Sequence, residues 1–203
     1  QVDELEWIPS MVGPRIEYVD QVLPEVYPIY AATFEASLPE GGAELLQLFS
    51  KSYLKLNTAL AERAPWTLAH QDYRVENMLF GNAENDEVTV IDWQGIGRGP
   101  GVYDLAYLLG GSMETELRRE NERDLVVAYH TELCSNGVEG YSLDSLWADY
   151  GFAHLIGGLA TSVFAGGTLD LNNERGKELI TMMSGRHVTA VSYTHLRAHE
   201  TVH

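Results

Sequence analysis

The chain has 203 residues, 45% of them hydrophobic, and sets 30 acidic side chains against 13 basic ones for a formal charge of −17. That length suits one domain or one lobe with a sizeable core. That charge excludes a nucleic acid backbone or an anionic lipid surface as the ordinary partner and favours cationic ligands.

No stretch approaches the ~20 uninterrupted apolar residues that span a bilayer, and the opening QVDELEWIPS lacks the basic and apolar regions of a signal peptide. The single cysteine, Cys134, has no partner for an internal disulfide or a C-x-x-C pair. A cytoplasmic protein with no membrane and no nucleic acid partner is the expectation. Over 14–37, Ile16, Val19, Leu23, Val26, Tyr27 and Tyr30 recur at helical spacing, but Pro24 and Pro28 interrupt it, which predicts helix pieces rather than one rod. After the LPEGG breaker, 43–64 reads as one amphipathic helix on Leu45, Leu46, Leu48, Phe49, Leu56 and Leu60, ended by Pro65. Two short strands follow, at about 78–80 and 88–91, and the polar turn GNAENDE joins them as a hairpin. A glycine-rich loop, GIGRGPG, leads into a helix from Val102, and helical periodicity continues over about 114–134, 143–165 and 173–189. The fold class is therefore mainly α with one small β-hairpin, an α+β arrangement without internal repeats.

The stretch WTLAHQDYRVENMLF sets several polar groups at fixed intervals between apolar runs. Phosphoryl transfer needs a carboxylate at the attacking hydroxyl and hard oxygen ligands that hold Mg²⁺ against the phosphates. His70-x-Asp72 with Asn77 five residues further on meets that need. Asp72 would address a hydroxyl, Asn77 would turn its amide oxygen to a metal, and Asp92, at the end of the second strand, would add a carboxylate. GIGRGPG lacks the G-K-[ST] ending of a phosphate cradle. Asp104, read from its position alone, is a charge that favours a helix N-terminus by ~0.3–1 kcal/mol. Trp93 and Tyr103 read as core or loop packing, and His130 and His154 as ordinary packed or surface residues rather than ligands.

HQDYRVENMLF, VTVIDWQ and GPGVYDLAYLL together resemble the three C-terminal-lobe blocks of the aminoglycoside phosphotransferase and choline kinase group of the protein-kinase-like fold, over 66–109. The resemblance implies that Asp72 is the catalytic base, that His70 braces its loop, and that Asn77 and Asp92 bind Mg²⁺, with ATP as co-substrate. It implies further that Arg74 stands near the transferred phosphate and that Asp104 anchors the catalytic loop through backbone hydrogen bonds. Gln71 replaces the glycine common in that group's H-G-D. A C-terminal lobe would fill 1–189, with the catalytic loop at 66–80 and the metal-binding strand and loop at 88–101.

Such a kinase also needs a nucleotide-covering lobe with a strand lysine. The only lysines are Lys51 and Lys55, on the second predicted helix, and Lys177, near the last. The missing N-terminal lobe of a parent chain is thus an expected partner, and little activity is expected of this chain alone. The acceptor would be a small hydroxylated molecule. The acidic balance leans towards amine-bearing alcohols such as aminosugars or choline, while neutral sugars, homoserine and lipid-like alcohols also fit the resemblance.

The last residues spell H-E-x-x-H at His199, Glu200 and His203, a zinc pattern when it lies on a scaffolded helix. VSYTHLRAHET resembles instead the translation of a transposase-type sequencing adaptor, which sets 190–203 apart as a non-native tail. Two further readings compete with the kinase: a catalytically silent kinase-like fragment or binding module, and a metal-dependent hydrolase using His70, Asp72 and Asp92.

Overall fold

The structure is a computed structural model that describes residues 2–82 and 85–200. Eight α-helices and two two-stranded antiparallel sheets make up its regular elements among the described residues, an α+β arrangement as the periodicity predicts. None of these helices is long and apolar enough to cross a membrane.

Helix α1 (Pro14–Phe34) is one continuous helix through Pro24 and Pro28, which corrects the expectation of separate pieces. Both prolines lie on the exposed side of the helix, away from its packed face. The opposite side buries Ile16, Leu23, Val26, Tyr30 and Phe34, and that packing outweighs the local penalty. The expected helix over 43–64 is two: α2 (Gly42–Phe49) and α3 (Tyr53–Ala61). The break has a tertiary cause, because the Asp20 carboxylate of α1 accepts the Leu54 N–H at 2.8 Å and so supplies α3 with a cap from outside its own segment.

Strand β1 (Trp66–Ala69) pairs with β4 (Gly97–Pro100), with Leu68 opposite Arg98. GIGRGPG thus holds a strand where a loop is expected. The backbone of Arg98 is also engaged on its other side, donating to Pro9 and accepting from Met11. Strand β2 (Met78–Asn82) pairs with β3 (Asn85–Val90) as the predicted hairpin, with Met78 opposite Val90 and Phe80 opposite Val88. Leu79, Phe80 and Val88 are exposed on this ribbon.

Helix α4 (Val102–Ser112) starts where the sequence places it, and α5 (Thr115–Ser135) follows its predicted span. The expected helix over 143–165 divides into α6 (Leu143–Ala153) and α7 (Gly157–Thr168). Gly166 and Gly167, beyond the end of the expected helix, lie inside α7, where a Cβ would collide with Tyr30 and Val26 of α1. They are packing glycines that let the two helices approach closely. Helix α8 runs from Glu174 to Glu200, past residue 189 without a break, and Ala190 and Val191 are buried. The H-E-x-x-H stretch at 199–203 lies outside the residues whose side chains are described.

The core lies between α1, α4, α6, α7 and α8, with Leu23, Tyr30, Leu146, Tyr150, Leu159, Val163 and Val188 buried completely or almost so. A Cβ on Gly158 would overlap the buried ring of His187. Gly158→Ala is accordingly expected to destabilise the fold by about 1–3 kcal/mol, read as a lowered denaturant midpoint at unchanged m-value. An equal midpoint would mean that α7 and α8 are not packed in this way.

Candidate active site

The candidate site is built where β1 ends and the chain turns back beside α4. Asp104, in the first turn of α4, accepts the backbone N–H groups of His70 at 2.6 Å and of Gln71 at 2.9 Å, one on each carboxylate oxygen. Burial pushes the Asp104 carboxyl up from its ordinary range, and the two backbone donors oppose that shift. Asp104→Ala would leave two N–H groups without acceptors in a partly buried loop. A loss of about 3 kcal/mol is expected, together with faster hydrogen exchange at residues 70 and 71. Unchanged exchange there would show that Asp104 does not hold the loop.

Gln71 adopts φ +67°, the left-handed region that disfavours side chains and favours glycine. Its side chain is held in compensation, since Arg15 Nη2 donates to Gln71 Oε1 at 2.7 Å while Nη1 reaches the Gly95 carbonyl at 3.2 Å. One α1 arginine thereby ties the loop containing Asp72 to the loop that follows Asp92.

His70 is buried at 1% exposure. Its Nδ1 accepts the Asp72 N–H at 3.3 Å and its Nε2 lies 2.8 Å from the Ile91 carbonyl, so the ring carries its proton on Nε2. Trp93 covers it with a centroid separation of 4.8 Å. The imidazole touches backbone on both nitrogens, which makes it a brace and leaves no ring nitrogen for a metal or for proton transfer.

Asp72 presents its carboxylate between three side chains. Tyr107 of α4 donates to Oδ1 at 2.9 Å, Arg74 Nε lies 3.2 Å from the same oxygen as an ion pair, and Asn77 Nδ2 donates to Oδ2 at 3.0 Å. The same Asn77 nitrogen donates to the Asp72 carbonyl at 2.9 Å. Two acceptors facing this amide require its NH₂ on that side, so Asn77 Oδ1 points away from Asp72 and has no hydrogen bond among the described residues. Burial, and then the Asp72 charge, push the Tyr107 hydroxyl well up from its ordinary value, so it stays a donor.

Asp92 is brought to this place by its neighbour Ile91, whose N–H donates to the Asn77 carbonyl at 2.9 Å and whose carbonyl faces His70. Asp92 itself takes φ +65° in the left-handed region, which an aspartate tolerates, and its exposed side chain has no hydrogen-bond or ion-pair partner among the described residues. The strand pairing thus gathers Asp72, Asn77 and Asp92 at one end of the hairpin. The unengaged oxygens of Asn77 and Asp92 are hard donors of the kind Mg²⁺ takes.

Residues 13–137 match the family described as the ecdysteroid kinase-like family, a span that runs from the start of α1 to the end of α5 and contains every residue of the candidate site. The chain belongs to the ecdysteroid kinase-like family. Neither curated proteins nor solved structures gave a match. The ecdysteroid kinase-like family is a group of protein-kinase-like phosphotransferases, a class that generally uses ATP and Mg²⁺. This is the broad class that the three sequence blocks imply.

Within this ecdysteroid kinase-like chain the hydrolase reading fails. Among the described residues no three His, Cys, Asp or Glu side chains gather to hold a metal, and His70 is occupied by backbone. Sequence reasoning missed Tyr107 and Arg15. Tyr107 had a weak signal, lying one helical turn after Asp104, whereas nothing local marks Arg15 as a partner of residues 56 and 80 positions away.

Proposed function

We propose that the chain carries the catalytic carboxylate and the metal ligands of an ATP-dependent phosphotransferase that moves the γ-phosphate to a hydroxyl of a small molecule. The observation that carries the reading is the interlock of Asp72 with Asn77, which fixes a carboxylate and an outward amide oxygen side by side. The acceptor hydroxyl would hydrogen-bond to Asp72. As its oxygen bonds to the γ-phosphorus and the bond to the β-bridging oxygen breaks, its proton passes to the Asp72 carboxylate and ADP leaves. Mg²⁺, held by Asn77 and Asp92, would supply charge neutralisation at the phosphate oxygens. Arg74, beside Asp72, would add a fixed positive charge near the transferred group. The exposed apolar ribbon of Leu79, Phe80 and Val88 offers a surface for a nucleotide-covering lobe.

The acceptor class extends from amine-bearing alcohols, which suit the net charge of −17, to the ecdysteroids that the family's description names. A panel of aminosugars, choline, homoserine, neutral sugars and an ecdysteroid, each with Mg·ATP, is the test, applied to this chain and to the full-length product of its gene. Transfer to at least one acceptor is expected. Binding of Mg·ATP by the full-length product without transfer to any of them would contradict the reading.

A second reading, a silent kinase-like module, is favoured by one observation. Lys51 lies in the turn after α2, Lys55 on α3 and Lys177 on α8, so no lysine stands on a strand to grip phosphates. On this ground the 203-residue chain alone is expected to turn over poorly, and robust turnover by it would overturn that expectation.

A further inference from the structure

We propose that Tyr107 is a positioning residue for Asp72, engaging one carboxylate oxygen so that the other is left to receive the acceptor's proton. The inference rests on the reading of Asp72 as the base. Oδ1 accepts the Tyr107 hydroxyl at 2.9 Å and faces the Arg74 charge at 3.2 Å as an ion pair without a hydrogen bond, so it is the more strongly held of the two carboxylate oxygens. Among the described residues Oδ2 accepts only Asn77 Nδ2, at 3.0 Å, and keeps a lone pair. The acceptor hydroxyl therefore meets Oδ2, the oxygen adjoining the amide whose own oxygen faces outward to the metal position. Nucleophile and metal ligand are thereby placed on the same side of the carboxylate.

Tyr107 is well suited to hold a geometry. Its side chain is buried, its ring stacks with Tyr103 at a centroid distance of 6.2 Å and lies against His187 at 5.6 Å, and its helix is the one that already grips the loop backbone through Asp104. Helix α4 therefore holds the same loop twice, by backbone through Asp104 and by side chain through Tyr107. A side chain fixed by packed ring neighbours orients a reactive group better than one on a loop. Without the hydroxyl, only the partly exposed Arg74 would engage Oδ1, and the carboxylate could rotate towards it and away from Asn77.

Tyr107→Phe removes the hydroxyl and nothing else. In the ¹⁵N-labelled 203-residue chain, the Asn77 side-chain amide signals are expected to shift and broaden in this variant, while the backbone signals of residues 70 and 71, held by Asp104, stay in place. In the full-length gene product, kcat is expected to fall about 10- to 100-fold with KM for Mg·ATP unchanged. Unchanged Asn77 amide signals in the folded variant overturn the proposal, whatever the chain's activity, and so does an unchanged kcat. Shifted amide signals in a protein whose wild type transfers phosphate to no acceptor overturn the reading of Asp72 as base and leave the hydrogen bond standing, so the two failures are told apart. Should the variant not fold, the hydroxyl proton of Tyr107 in the wild type decides. A slowly exchanging signal that moves in Asp72→Asn supports the contact, and its absence or immobility overturns it.

Discussion

Asp72→Asn is expected to lower kcat for phosphoryl transfer by about 10²- to 10⁴-fold, with KM for Mg·ATP close to its wild-type value. Asparagine keeps the size and one acceptor oxygen, so the Tyr107 hydroxyl at 2.9 Å retains a partner. Its amide cannot take a proton from an acceptor hydroxyl, however, and its NH₂ would face the NH₂ of Asn77, which now donates to Oδ2 at 3.0 Å. Two donors in contact repel, so some local rearrangement accompanies the chemical loss, and the denaturation midpoint should be measured beside kcat. A variant that remains folded and loses at most a few-fold in kcat would place the base elsewhere.

Acid is expected to unfold the chain early. Burial first, then the charges of Arg118 and Arg186, push His187 down from 6.5 to about 3. His154 is pushed well below the same ordinary value by burial, by Arg118 and by His187. Both side chains are buried, and neither ring nitrogen of His154 has a partner among the described residues. The other ionisable groups around them are Tyr107, Tyr150 and Glu122, the last paired with Arg118 at 3.8 Å.

In the folded state both rings stay neutral as pH falls through 6.5, while in the unfolded chain they take up protons there. The unfolded state then binds more protons, so stability is full above about pH 6.5 and falls below it, with the loss for His187 complete only near pH 3. At 1.36 kcal/mol per pKa unit, His187 alone accounts for up to about 5 kcal/mol, which is comparable to the whole stability of an ordinary domain. Thermal midpoints measured from pH 7.5 to 4.5 should therefore drop steeply below about pH 6, and His187→Leu should flatten the curve. A midpoint independent of pH across that range would contradict the burial of these rings.

Much of the site could be read from sequence because its chemistry is local. His70, Asp72 and Asn77 lie within eight residues, and Asp92 follows an alternating strand that a two-residue period reveals. What could not be read depends on contacts between distant segments. Pro24 and Pro28 are tolerated because α7 covers the other side of α1, which only packing reveals. Strand β4 has the sequence GRGP, with no β-branched residue, and forms because β1 and residues 9–11 supply its hydrogen bonds. Gly166 and Gly167 look like punctuation until α1 is seen to occupy the space their side chains would fill. The positive φ of Gln71 would have been foreseeable from the glycine usual at that place, but its support by Arg15 would not.

The most direct test is a crystal structure with Mn²⁺ and ATP, using the anomalous signal to locate the metal. One Mn²⁺ peak is predicted, bound by the amide oxygen of Asn77 and a carboxylate oxygen of Asp92 at about 2.1 Å, near the Mg²⁺ distance that hard oxygen ligands impose, with Asp72 beside the γ-phosphate. A metal coordinated by other side chains, or an ordered nucleotide whose metal avoids both residues, would contradict the convergence of these groups on one divalent ion.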